Sequence, residues 1–194
     1  MNAGRPRAFD EAAVVERAMD LFWLKGYEAT GLTELLEQMG ISRQSLYDTF
    51  GNKHGLLLHV IEHYRQTQLS EALALLERDG SCIDNVKAVV QFFEQLALDK
   101  RCRGCLVANT LVEMGGKDKE VSALLRDILE LLQSSLQSAL EEAQRKGELA
   151  KSKSPAKIAH ALTNASIGLA VTGKLDMDPE AIHDIYTGTL SMLD

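Results

Sequence analysis

Residues 39–53, MGISRQSLYDTFGNK, gather side chains suited to reading a polar surface rather than to breaking bonds. Arg43, Gln44, Ser45 and Tyr47 present a guanidinium, an amide, a hydroxyl and a phenol on one short segment. In a DNA major groove, Arg pairs bidentately with guanine, Gln does the same with adenine, and Ser is permissive. Asp48 can accept from a cytosine amine but is unfavourable beside phosphates. A helix that only meets solvent would more usually carry Glu and Lys at these places. An ordinary helical hairpin with polar outer residues is the competing explanation.

The surrounding pattern supplies a frame for that segment. A first helix should begin near Asp10, turn Val14, Val15, Ala18, Leu21, Phe22 and Leu24 inward, and stop at Gly26. A short helix over 32–39 points Leu35, Leu36 and Met39 inward, and Gly40 allows a tight turn. A third helix opens at Ser42, a good N-cap, and buries Leu46 and Phe50 at i and i+4. Gly51-Asn52 breaks it, and one longer helix should run from Lys53 to about Arg78. Short helix, Gly turn and short helix on an apolar frame make a helix-turn-helix unit. Its second helix is the one whose first turn meets base edges. Further helices are expected near 82–99, 104–114, 118–146, 155–172 and 179–193, the last two started by Ser154-Pro155 and Asp178-Pro179. The 118–146 helix should span roughly 42 Å at 1.5 Å per residue.

Composition agrees with an all-α chain. Only 5% of residues are aromatic, 45% are apolar, and the three prolines, at positions 6, 155 and 179, leave long stretches uninterrupted. No run approaches the roughly 20 apolar residues that cross a bilayer, so no membrane association is expected. The first residues lack a secretory h-region, and three cysteines form no disulfide framework, so a cytoplasmic location is expected. The net charge is −7; residues 1–55 hold 6 Lys/Arg against 8 Asp/Glu, which is −2. Indiscriminate nucleic-acid binding is therefore disfavoured, and any contact with DNA must come from a few local cations such as Arg5, Arg7 and Lys53.

From Phe9 to Leu57 the chain resembles the DNA-binding domain of the TetR family of bacterial transcriptional regulators. The shared features are Ala18-Met19-Asp20-Leu21-Phe22 through Gly26-Tyr27 to Thr30, then Gly40-Ile41-Ser42, then Ser45-Leu46-Tyr47, Phe50 and Lys53. The resemblance implies a three-helix DNA-binding head over 1–55 and a helical effector-binding and dimerisation body over 56–194, about nine helices in all. It implies operator contacts from Arg43, Gln44, Ser45, Tyr47 and Thr49, with Tyr47 and Lys53 on phosphates and Arg5 and Arg7 in a minor groove. Family members commonly carry Ser or Thr where this chain has Gly31; Thr30 or Thr33 would have to supply the missing hydroxyl. The implied partner is double-stranded operator DNA bound by a homodimer, with half-sites about 34–36 Å apart or a multiple of that. Ala159, Ala161, Ala165, Ser166, Gly168, Leu169 and Ala170 on the last two helices are candidates for the dimer face, or for packing within one subunit.

The second informative stretch is CRGCLVANTLVEMGG. Cys102 and Cys105 form a C-x-x-C, but no second ligand pair supports zinc and no βαβ setting supports thiol exchange. The segment is similar to one in family members that sense electrophiles and oxidants, so Cys105, activated by Arg101 and Arg103, is a candidate sensor; the alternative is a buried, inert thiol. A small-molecule pocket is expected among His59, His63, Phe92, Phe93, Leu96, Cys105, Leu106, Asn109 and Glu113. Gly168–Leu175 spells most of a phosphate-binding loop but has Leu where Ser or Thr must hold magnesium, and it follows a helix. No catalytic constellation, cofactor or metal site is expected. The expected function is a ligand- or redox-responsive regulator, a repressor on family grounds, released from its operator by an effector. A helical carrier or enzyme with a non-functional head is the alternative.

Overall fold

Side-chain caps decide where the helices begin. In a computed structural model of the chain, which describes residues 9–99, 103–175 and 177–194, Asp10 accepts the amides of Ala12 and Ala13 and starts α1 (Glu11–Lys25). Gly31 opens α2 (Leu32–Met39) without a side-chain bond. Ser42 caps α3 (Arg43–Phe50) by accepting from the Ser45 amide, and Asn52 caps α4 (Lys53–Tyr64) by accepting from Gly55. Gly40, at φ 68°, makes the left-handed turn between α2 and α3 that a Cβ would oppose.

The long fourth helix is not uniform. After Tyr64 it passes through a π-helical turn, Arg65–Leu69, into α5 (Ser70–Ala74) and a 3-10 turn, Leu75–Glu77. Hydroxyls explain the departure from one regular helix: Thr67 donates to the His63 carbonyl, and Ser70 donates to those of Gln66 and Thr67, so side chains occupy acceptors around the turn. The body follows as α6 (Cys82–Leu98), α7 (Leu106–Met114), α8 (Lys119–Lys146), α9 (Pro155–Thr172) and α10 (Pro179–Leu190). Taking α4 through the 3-10 turn as one helix gives nine among the described residues, and none of those residues is in a strand. The expected boundaries hold to within about three residues.

In the head, α1 packs on α2 and α4 while α3 packs on α4; in the body, α8, α9 and α10 gather around α6. Val14, Ala18, Phe22, Leu35, Leu46 and Phe50 are buried in the head, and Val121, Leu125, Ile128, Leu132, Leu136 and Leu140 form one buried stripe along α8. Leu24 corrects the expected inward face of α1: it is 68% exposed, and Trp23 is buried in its stead. The body covers that side of α1, where the Trp23 ring meets Tyr64 edge-on at 5.3 Å and its indole N–H donates to the Gly104 carbonyl at 2.9 Å. The expected division at residue 55 falls in the first turn of α4, a helix that packs on α1 and α3 as well as on α7 and α8.

The corner between α3 and α4 is tight. A Cβ added to Gly55 would lie 2.0 Å from the Phe50 carbonyl oxygen, a backbone atom that cannot move without tilting α3. Gly55→Ala is expected to destabilise the protein by about 1–3 kcal/mol, as overpacking does. A lowered urea midpoint with an unchanged m-value checks it; an unshifted midpoint would show that the corner yields freely.

Candidate nucleic-acid interface

The eight residues of α3 separate cleanly into anchors and contacts. Leu46 and Phe50 are buried, at 0% and 5% exposure, while Arg43, Gln44, Tyr47 and Asp48 are exposed. Thr49 and Ser45 are half-buried. The Ser45 hydroxyl lies 2.9 Å from that of Ser42, within the cap that starts the helix, and is therefore less free than Arg43 or Gln44 to meet a base. Gln44 donates its side-chain amide to the Asp48 carboxylate at 2.6 Å. Asp48 thereby orients the side chain suited to adenine, a role its i+4 spacing could have suggested.

Lys53 stands at the first position of α4 with its ammonium 4.3 Å from the centre of the Tyr27 ring. Partial burial pushes its pKa down, while the charges of Glu28 and Glu113 push it up. Tyr27 itself is raised, first by burial and then by Glu28, Asp118 and Glu113. The two threonines offered as substitutes for the hydroxyl missing at Gly31 part company. Thr33 is exposed on α2, but Thr30 is 1% exposed and donates to the Gly26 carbonyl at 2.6 Å. Thr30 closes the turn after α1 and is withdrawn as a contact residue. Arg5 and Arg7 lie outside the described residues.

The expected effector pocket does not assemble. His59 is exposed, against Phe50 at 5.2 Å, and with His63 it lines an open cavity of about 340 Å³ between α1 and α4, rather than the body interior. Phe92 and Phe93 stack edge-to-face at 5.5 Å on α6, and Leu96 is part-buried there. Leu106 is in the core. Asn109 donates to the Arg103 carbonyl at 2.9 Å, and Glu113 accepts the backbone amides of Tyr27 and Glu28. Glu113 thus joins the body to the head, and with Asn109 it lines an open cavity of about 360 Å³ beside Trp23 and Lys174, apart from His59, His63 and the two phenylalanines. A different cavity of about 360 Å³ lies between α4 and α8, bounded by Ile61, Glu62, Arg65, Leu124, Asp127, Ile128 and Leu131.

Cys105 is buried, with its sulfur 3.7 Å from the Tyr64 hydroxyl. Burial pushes its thiol up, against the opposite pull of the Ala108 amide, the Tyr64 hydroxyl and the Val107 amide. The expected activation by Arg103 is not available: that guanidinium pairs with Asp20 and lies 4.3 Å over the Trp23 ring. Arg101 and Cys102 lie outside the described residues. Among the described residues, no cluster of three or more His, Cys, Asp or Glu could hold a metal, and no helix is long and apolar enough to cross a membrane.

The small-residue surface is narrower than expected. Ala159, Ser166, Leu169 and Ala170 are buried within the subunit, whereas His160, Ala161, Asn164, Ala165, Gly168 and Val171 form the outward stripe of α9. An added Cβ at Gly168 meets nothing within 4 Å, and the same holds at Gly188 on α10.

Two family descriptions match the chain: residues 14–60 match "Bacterial regulatory proteins, tetR family", and residues 82–188 match "Tetracyclin repressor-like, C-terminal domain". An uncharacterized HTH-type transcriptional regulator of Bacillus subtilis, YezE, is 30% identical over 98% of this chain and 100% of its own. The HTH-type transcriptional repressor ComR of Escherichia coli is 26% identical over 97% of this chain and 91% of its own. Among solved structures, a cysteine mutant of the TetR family regulator CifR complexed with double-strand operator DNA superposes with a TM-score of 0.86, at 27% identity over 96% of this chain and 98% of that one. These relatives are regulators of transcription and not enzymes. The fold, the helix-turn-helix and the matched sequence lead to one conclusion: the chain belongs to the TetR family of bacterial transcriptional regulators.

Proposed function

We propose that the protein is a ligand-responsive repressor that binds a palindromic operator as a homodimer and leaves it when an effector occupies the body. The exposed Arg43–Gln44–Tyr47 face, carried on buried Leu46 and Phe50, is the observation that bears most weight. Arg43 and Gln44 read bases, Tyr47 and Lys53 meet phosphates, and Thr33 and Thr49 flank them. The description of ComR as a repressor supports the sign, and operator DNA bound to CifR supports the partner. The open stripe of α9, which includes Gly168, suits close approach by the same helix of a second copy. The cavity between α4 and α8 suits the effector, since α4 reaches from it into the head. Effectors release such a protein only by binding the DNA-incompetent state more tightly. Thiol chemistry at Cys105 is a weaker reading, because its sulfur is buried and its pKa is raised.

Binding to the DNA upstream of the protein's own gene, followed by fluorescence anisotropy, tests the proposal; a failure to discriminate that DNA from unrelated sequence would sink it. Gln44→Ala is expected to relax selectivity at one base pair by about 1–3 kcal/mol, whereas Lys53→Ala should weaken all sequences alike and make the salt dependence shallower. Gly168→Glu should convert the dimer to monomer in sedimentation experiments, and an unchanged sedimentation coefficient would move the interface elsewhere. In the folded protein Cys105 should label slowly with a thiol reagent at neutral pH and rapidly once urea exposes it. Equal rates in both states would restore the redox reading.

A further inference from the structure

Glu113 sits in the last turn of α7, where a carboxylate opposes the negative end of the helix dipole and so does nothing for the helix that carries it. Both of its oxygens leave the body. Oε2 accepts the Tyr27 amide at 2.9 Å, and Oε1 accepts the Glu28 amide at 2.6 Å, two successive N–H groups in the turn between α1 and α2. Successive backbone amides of this kind form a concave anion seat, here filled by the protein's own carboxylate. The seat depends on Gly26, whose φ is 85° and whose missing Cβ would lie 2.9 Å from Oε2.

The residue held by this carboxylate then holds the cation of the interface. The Tyr27 ring lies beneath the Lys53 ammonium at 4.3 Å, and both Glu113 and Glu28 favour the charged form of that lysine. Carboxylate, peptide, ring and ammonium form one continuous stack from the effector-binding body to the first turn of α4. The other end of α7 is tied as well, by Trp23 donating to Gly104 and by the Arg103–Asp20 pair, but those contacts reach the middle and end of α1 rather than the turn beside Lys53.

We propose that Glu113 is a positioning residue for operator binding, setting the angle of the head on the body through the Tyr27 and Glu28 amides and presenting Lys53 through the Tyr27 ring. The proposal rests on the dimeric operator reading given above. Two measurements on full-length Glu113→Ala and Glu113→Gln decide it. Hydrogen exchange is expected to accelerate at least about tenfold at Tyr27 and Glu28 in Glu113→Ala, less in Glu113→Gln, with α3 and α8 as protected as before. Operator affinity should fall about tenfold, affinity for unrelated DNA should fall by no more than Lys53→Ala lowers it, and the preference for the natural half-site spacing over one altered by a single base pair should shrink. Faster exchange spread over the whole chain would mark a merely structural residue and overturn the proposal. So would local acceleration with the spacing preference intact. If the unaltered protein itself selects no operator, the DNA reading falls and takes the positioning role with it, whereas the exchange result still reports whether the clasp exists.

Discussion

Eight residues do not hold a helix in water, because the cost of nucleation is spread over too few hydrogen bonds. The recognition helix α3 therefore exists only as long as Leu46 and Phe50 remain buried against the rest of the head. This constraint shapes everything around it. Ser42 satisfies the first turn and Gly40 reverses the chain before it. Gly55 lets α4 approach within a distance no other residue permits. Polar side chains can be spent on the outer face because none of them is needed for cohesion.

The same economy governs the junction of head and body. Trp23 is buried by partners from both sides, with its indole N–H on Gly104, its face under Arg103 and its edge on Tyr64. A buried indole N–H without an acceptor would be destabilising, so the loop before α7 has to stay in register with α1. His54 adds a bond to Asp118, the cap of α8, at 2.7 Å. The head is thus held by several polar contacts on its body-facing side, and a movement of α7 or of the start of α8 is felt in the elements that carry Lys53 and α3.

Features encoded by neighbours in sequence were legible. The start at Asp10, the caps at Ser42, Ser154 and Asp178, the stripe on α8 and the outward face of α3 all follow from residue type and a 3.6 period, whereas Asn52, read as a helix break, is also the cap of α4. Features made by distant residues were not. The hydrogen-bond partners of Trp23 and Glu113 lie more than 80 positions away, so Trp23 draws no assignment from its own helix and the glutamate on α7 reads only as pocket. Leu24 was misplaced because periodicity assigns a face without knowing which side a second layer will cover. The π turn escaped because Thr67 and Ser70 depart from a regular helix through side-chain bonds that propensity does not encode. The C-x-x-C suggested chemistry by spelling, whereas the burial of Cys105 is a property of packing.

Acidity and DNA binding are compatible once affinity and selectivity are considered separately. Nonspecific binding is driven almost wholly by the release of counterions from neutralised phosphates, and a chain of net charge −7 gains little from it. The hydrogen bonds proposed from Arg43 and Gln44 to base edges do not depend on that total. A surplus of Asp and Glu therefore lowers the background against which a few well-placed contacts are read. Under this condition the geometry of those contacts matters more than their number. A tilt of the head that a strongly basic protein could offset by added phosphate contacts would here remove most of the binding. In the proposed interface the carboxylate of Glu113, though it adds to the negative total, lies where it supports Lys53 rather than repelling a phosphate at that lysine, because Tyr27 stands between them.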